Sequence, residues 1–493
     1  MARPMRRHIF NALGLLAVSL VTVGAQQPGE GTAPSTKGMV LKGKAPVSND
    51  ILRVKLPRPQ EADLPNGVHL MVLEDHRLPQ IAFQIIVPGA GGYYDDPSTI
   101  GLANYTAQLM REGTETRNSQ QISQELERMA AFVNVGASVS GPNATVSGNA
   151  MTENFDRLFA LTAEILLAPS FPADEWDRLK TRSRAGLIQQ RANPGFLANE
   201  QYSRVIYGSH PAGRVSATPA TLDAITREAI VAFHRAHYVP DHAAIAFAGD
   251  ITLAEARKAV EARLGGWAKR GMPKPPVSDP APIGPRKVYM VARPNSVQTT
   301  LFVGTQSLTR KDPDYEQLLV VNRVLGGAMG RLFRHLREEK GYTYGIGSGI
   351  SATNFRGDWT ASTSVRTEVT EAALRDLLDE IAQLRNTPIP AAELSDSKRA
   401  IVASFALSLE NPQAVLGYYM NSWLFGLPAD YWDTYAARIS AVTAAQAQAV
   451  AAKYWADERL QIVAVGDGTK IAPILAKYGP VEQYDTEGKK IGQ

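Results

Sequence analysis

The sequence predicts an α+β protein made of two homologous domains from an internal duplication, each a mainly antiparallel sheet with helices packed on one face. Three observations predict it. Leu222 to Asp250 lies over Ile439 to Asp467 without a gap at an offset of 217, and Ala224, Thr226, Ala232, Gly249 and Asp250 recur as Ala441, Thr443, Ala449, Gly466 and Asp467. Near the start of each half an alternating apolar stretch runs into Asp96-Pro97 and into Asp312-Pro313, an offset of 216. Between the copies Pro273, Pro275, Pro276, Pro280, Pro282 and Pro285 fall within 13 residues, where neither a helix nor a central strand can run.

Each copy follows one plan. Alternating apolar and polar residues predict strands over 68–73 and 81–87 in the first half and over 287–291 and 299–304 in the second. A Pro-containing turn follows, then amphipathic helices over 101–111 and 315–325. Hairpins are expected over 133–146, turning at Gly141-Pro142-Asn143, and over 344–364. Two or three helices then precede a last strand ending in Gly-Asp, at 245–247 and 460–465. Thr226 and Thr443 are hydroxyl N-caps at one repeat position.

Composition narrows the function. Of 493 residues, 44% are hydrophobic and 20% charged, which are ordinary globular values, and no cysteine is present. Disulfides, thiolate metal sites and a cysteine nucleophile are therefore excluded. Residues 1–25 hold three arginines and no acid, so the other residues carry 49 basic against 48 acidic groups, with no general field for nucleic acid. A charged start, an apolar run over 9–23 and the small residues Gly24 and Ala25 predict a signal peptide over 1–25, cleaved after Ala25. Export across the inner membrane to the bacterial periplasm is the expected location. Arg6-Arg7 leaves the export route open. The expected organisation is a flexible linker over 26–50, an N-terminal domain over 51–272, a Pro-rich linker over 273–285, a C-terminal domain over 286–480 and a tail over 481–493. With about 200 residues, each half is expected to hold a sufficient core of its own.

Five segments in order carry a family resemblance: Gly101-Leu102-Ala103 with Gly113-Thr114, YGSHPAG at 207–213, HYVPDHAAIAFAGDI at 237–251, and LGGAMGRLFRHLREEKGYTYG at 325–345. Over nearly all of residues 51–480 the chain resembles the pitrilysin/insulinase-type zinc metallopeptidases, which carry an inverted His-x-x-Glu-His motif. In that motif two imidazoles one helical turn apart hold zinc, and the carboxylate between them activates water. Here the positions read Asn104-Tyr105-Thr106-Ala107-Gln108, so both ligands and the general base are gone. The resemblance places a third ligand, a Glu, within residues 178–199, and this stretch contains no Asp or Glu. No zinc or other cofactor is expected in this chain.

Other candidates are weaker. His234 and His237, spaced i, i+3, with His242 beyond them, form one cluster of imidazoles, and a basic helix end explains them better than a metal site. The basic run Arg178, Lys180, Arg182, Arg184 and Arg191 reads as a solvated face in preference to an acidic-peptide groove. No G-x-S-x-G elbow, P-loop or dinucleotide fingerprint is present.

What the second half retains comes from the resemblance. Family members use an Arg and a Tyr seven residues apart to hold the substrate backbone near the zinc of a facing half or partner. Arg337 and Tyr344 stand at that spacing, and Gly326 and Gly327 precede their helix, where a peptide could approach the backbone. The expectation is a non-catalytic, substrate-binding subunit of a secreted two-chain zinc endopeptidase acting on peptides or unfolded proteins. Its partner would be a homologous chain with the intact motif, in a heterodimer, and the zinc would sit in that partner. The alternative is a pseudo-peptidase scaffold or interaction protein with no peptidase role.

Overall fold

A computed structural model describes residues 56–491. The leader and the linker expected over 1–50 lie outside the described residues. The described chain forms two sheets. The first holds β1 (Gln60–Asp63), β2 (His69–Glu74), β3 (Gln80–Pro88), β4 (Phe132–Ala137), β5 (Asn143–Met151) and β6 (Ala244–Gly249), in the order β1-β2-β6-β3-β5-β4. The second holds β7 (Val288–Ala292), β8 (Gln298–Gln306), β9 (Thr343–Ile350), β10 (Asp358–Arg366), β11 (Gln461–Gly466), β12 (Val481–Tyr484) and β13 (Lys490–Ile491), in the order β13-β12-β7-β11-β8-β10-β9.

Five strands of each sheet share one topology, since β2-β6-β3-β5-β4 repeats as β7-β11-β8-β10-β9. In both copies the pairing is antiparallel except where the last strand joins the first, β6 on β2 and β11 on β7. The duplication extends to single hydrogen bonds. Lys180 Nζ donates to the carbonyls of Asp223 and Ile225 at 3.1 and 3.3 Å. Lys398 Nζ donates to the carbonyls of Ser440 and Val442 at 2.7 and 2.9 Å. Thr226 and Thr443 cap their helices by accepting the N–H of Ala229 and Gln446. Residues 481–484 differ from the expected tail: β12 pairs in parallel with β7 and widens the second sheet.

Alternation along the strands sends side chains to two faces. Leu70, Val72, Ile81, Phe83, Ile85, Ile245 and Phe247 meet the first half's own helices in one core. Met71, Leu73, Ile86, Ala244, Ala246 and Ala248 point the other way and belong to the core of the second half. The helix Pro412–Phe425 from the second half covers this face with Val415, Leu416, Tyr419 and Met420. The converse holds for the second sheet. Val291, Val463 and Val465 are buried under the helix Pro194–Tyr207 of the first half, through Leu197, Ala198, Tyr202 and Ile206. Each half thus closes the outer face of the other's sheet with one helix.

Both crossing helices begin alike, with Pro at the first helical position and an Asn cap, Asn193 before Pro194 and Asn411 before Pro412. Gly304 on β8 makes room for one of them: a Cβ there would lie 2.2 Å from the Tyr202 hydroxyl and 2.4 Å from the Trp359 carbonyl oxygen. The expectation of a self-contained core in each half is therefore corrected. In β2, β3 and β6 residues of both faces are buried, and the second face is covered by the other copy. The Pro-rich segment carries no helix or strand and is strapped down, with Pro276, Ser278, Pro280 and Ala281 bonded to Tyr94, Tyr93, Arg356 and Gln306.

Candidate functional site

The residues expected to be a degenerate motif, 104–108, lie on the helix Leu102–Leu109. Its N-terminus is fixed by Asp95, whose buried carboxylate accepts the N–H of Gly101 at 2.8 Å and of Ala103 at 3.1 Å. Burial pushes the Asp95 carboxyl up to about 6, against the pull of those N–H donors and of the nearby Arg214 charge. Asn104 and Gln108, one turn apart, face the same way. Gln108 Nε2 donates to Asn104 Oδ1 at 2.6 Å, and Asn104 Nδ2 donates to the Ala137 carbonyl at the end of β4, at 2.8 Å. The two amides, at the positions where the resemblance expects imidazoles, are thus engaged with each other and with an edge strand. Ala107, where the resemblance expects the general base, is wholly buried in the first-half core.

The facing helix Ala173–Gln190 touches the motif helix through Trp176, whose ring lies 5.9 Å from that of Tyr105. The basic side chains of this helix, and that of Arg191 at its C-cap, are mostly paired. Arg178 bonds Asp174 and Glu175, Lys180 the carbonyls named above, Arg184 Asp223, and Arg191 Glu200. Arg182 is exposed. This is a surface of local ion pairs, with no continuous cationic groove. A Cβ placed at Gly186 would meet nothing within 4 Å.

The three histidines are each bound to backbone. His234 Nε2 lies 2.8 Å from the Leu166 carbonyl oxygen, His237 Nδ1 2.8 Å from that of Gly89, and His242 Nε2 2.9 Å from that of Met272. Burial pulls the His234 and His237 imidazoles below their usual range. Among the described residues no three His, Asp or Glu side chains converge as a metal site would require.

The second-half residues form a different arrangement. Arg337 belongs to a π-helix, Phe333–Glu339, and Tyr344 to the edge strand β9. The Arg337 guanidinium carbon lies 4.9 Å from the Tyr344 ring centre and 4.6 Å from that of Phe333. No carboxylate pairs with Arg337 among the described residues, and Tyr344 is 88% exposed. Gly326 ends the helix Tyr315–Gly326 against β9, where a Cβ would lie 2.0 Å from Ser348 Oγ, and a Cβ at Gly327 would lie 2.6 Å from the Arg323 carbonyl oxygen. Close packing therefore accounts for both glycines within the fold. The Asn104 group and the Arg337 group sit in separate halves, with no hydrogen bond or ring contact between them among the described residues.

Sequence reasoning missed Phe333 and the π-helix. The spacing of Phe333 and Arg337, i and i+4 across one turn, was a legible signal for their contact.

Residues 71–219 match the model of the insulinase family (peptidase family M16), and residues 224–401 match that of the peptidase M16 inactive domain. This chain belongs to peptidase family M16. A M16 inactive-domain structure from Pseudomonas fluorescens aligns with a TM-score of 0.77 and 27% identity, over 83% of this chain and 98% of that one. Among sequence relatives, an uncharacterized zinc protease YmxG of Bacillus subtilis is 23% identical over 352 residues, 70% of this chain and 83% of the relative. A non-peptidase homolog YmxG of Helicobacter pylori is also 23% identical, over 73% of this chain and 83% of the relative. For this M16 chain the inactive-domain match and the non-peptidase relative support a non-catalytic M16-like protein. No helix of the described residues is long and apolar enough to cross a membrane.

Proposed function

We propose that this chain is the non-catalytic, substrate-binding subunit of a two-chain zinc endopeptidase acting on peptides or unfolded proteins in the bacterial periplasm. A homologous partner with an intact His-x-x-Glu-His motif supplies the zinc and the general base. One contrast carries the reading. The amides at Asn104 and Gln108 are bonded to each other, whereas Arg337 and Tyr344 stand at an exposed strand edge with no carboxylate to occupy the guanidinium. A guanidinium and a phenol can both donate to a peptide carbonyl and steady its oxygen as charge develops over the partner's metal. A scaffold would need neither group free.

The edges support an extended substrate. Both β4 and β9 pair on one side only, so a peptide can add as a further strand, which selects unfolded or short chains over folded proteins. The test mixes the purified chain with a homologue from the same genome that carries the intact motif and a downstream Glu. A complex that cleaves an unstructured peptide, while each chain alone does not, supports the proposal. A stable complex whose hydrolysis is unchanged by Arg337→Ala and Tyr344→Phe together would make this chain a scaffold.

A further inference from the structure

The π-helix Phe333–Glu339 has two working faces. His335 within it and Arg331 in the turn before it, four residues apart, are tied to the helices behind. Arg331 forms a fork on Glu393 at 3.0 and 2.7 Å, and His335 Nδ1 lies 2.9 Å from Glu380 Oε1. Glu380 is itself buried. Two positions on from each, about half a turn away, Phe333 and Arg337 face the other side. There the guanidinium lies over two aromatic rings, Phe333 from its own helix and Tyr344 from β9.

How a cation is held decides what it can still bind. The N–H donors of a guanidinium lie in its plane, whereas its attraction to an aromatic ring is exerted on a ring face. A carboxylate partner would take the in-plane donors. Aromatic partners orient the group and leave those donors available.

We infer that Phe333 is a positioning residue for Arg337: with Tyr344 it holds the guanidinium by aromatic contact so that its donors stay free for the carbonyl oxygens of an extended peptide. The inference rests on the reading of Arg337 as a substrate donor. Phe333 does not touch substrate; it acts through Arg337.

The test is a double-mutant cycle on the full chain, read by fluorescence anisotropy of a labelled, acetylated and amidated unstructured decapeptide. Arg337→Ala should weaken binding about tenfold or more, and Phe333→Leu about fivefold. Phe333→Tyr should restore binding, and Phe333→Leu should have no further effect in the Arg337→Ala background. Persistence of the Phe333→Leu loss in that background overturns the inference, because Phe333 would then act independently of Arg337. If the wild-type chain binds no peptide, the functional reading fails, and the positioning is decided by NMR of the arginine side chains. Loss of the nuclear Overhauser contacts between the Arg337 side chain and the Tyr344 ring in Phe333→Leu supports the inference, and their persistence unchanged overturns it.

Discussion

Tyr207, at the end of the first half's crossing helix, donates its hydroxyl to the carboxylate of Asp358 on β10 of the second half at 2.7 Å. Tyr202, five residues earlier, places its hydroxyl 3.0 Å from the other oxygen. Asp358 is buried, and burial raises its carboxyl above the usual range while the two phenols pull it back. The joint between the halves is thus a buried acid held by neutral donors.

Tyr207→Phe should lower stability by about 1–3 kcal/mol, the cost of leaving a buried acceptor short of a donor. A carboxyl raised in the folded state contributes stability that is complete below its unfolded value and is lost as pH rises through the folded one. Removing a donor to the ionised form raises it further. The gap between wild type and Tyr207→Phe in urea unfolding should therefore widen as pH rises above the ordinary carboxylate range. A constant gap would show that Asp358 stays in one protonation state.

Asp95 offers a second titration, with its carboxyl raised to about 6 from an ordinary 3.8 by burial. Its contribution is full below 3.8 and fades as pH climbs through about 6. Asp95→Asn keeps an acceptor for one of the two N–H groups and removes the charge. This variant should lose the corresponding fall in stability between pH 4 and pH 7, measured by chemical unfolding at each pH.

Calorimetry should show a single unfolding transition for the described chain. Cleavage within 273–285 should leave the two pieces associated, since each covers the other's sheet. A first half expressed alone should aggregate, with Met71, Leu73 and Ile86 uncovered. Two well-separated transitions would refute the shared core.

The triple change Asn104→His, Ala107→Glu, Gln108→His should fail to build a zinc site. No acid lies within 178–199 to serve as the third ligand, and Ala107 is fully buried, so a carboxylate there should cost several kcal/mol. Elemental analysis should find no stoichiometric zinc, and the melting temperature should fall. Robust zinc loading would mean a ligand elsewhere completes the site.

The repeat, the strand alternation and the Gly-Asp strand ends were legible because they recur at a near-constant offset, and β2, β3, β6, β7, β8 and β11 lie within a residue or two of the expected positions. The exchange of helices was harder to see. Leu70 and Met71 are both apolar and both buried, which tells that β2 has two covered faces without telling what covers the second. The matching Asn193-Pro194 and Asn411-Pro412 pairs marked the helices responsible, but a cap signal locates a helix start and says nothing of its partner. The amides Asn104 and Gln108 stand one helical turn apart in the sequence. Their mutual hydrogen bond follows from i, i+4 spacing, whereas the ring contacts of Arg337 depend on a strand and a helix meeting.

Reciprocal covering also orders events in time. On the ribosome the first sheet is complete once β6 has emerged at Gly249, yet its second apolar face has no cover until residues 412–425 are made. The first half's crossing helix, made early, likewise has no sheet to lie on until β11 is synthesised. Neither half can finish before the other, so the nascent chain carries an unsatisfied sheet face through most of its synthesis and depends on being kept from neighbours until its last strands arrive.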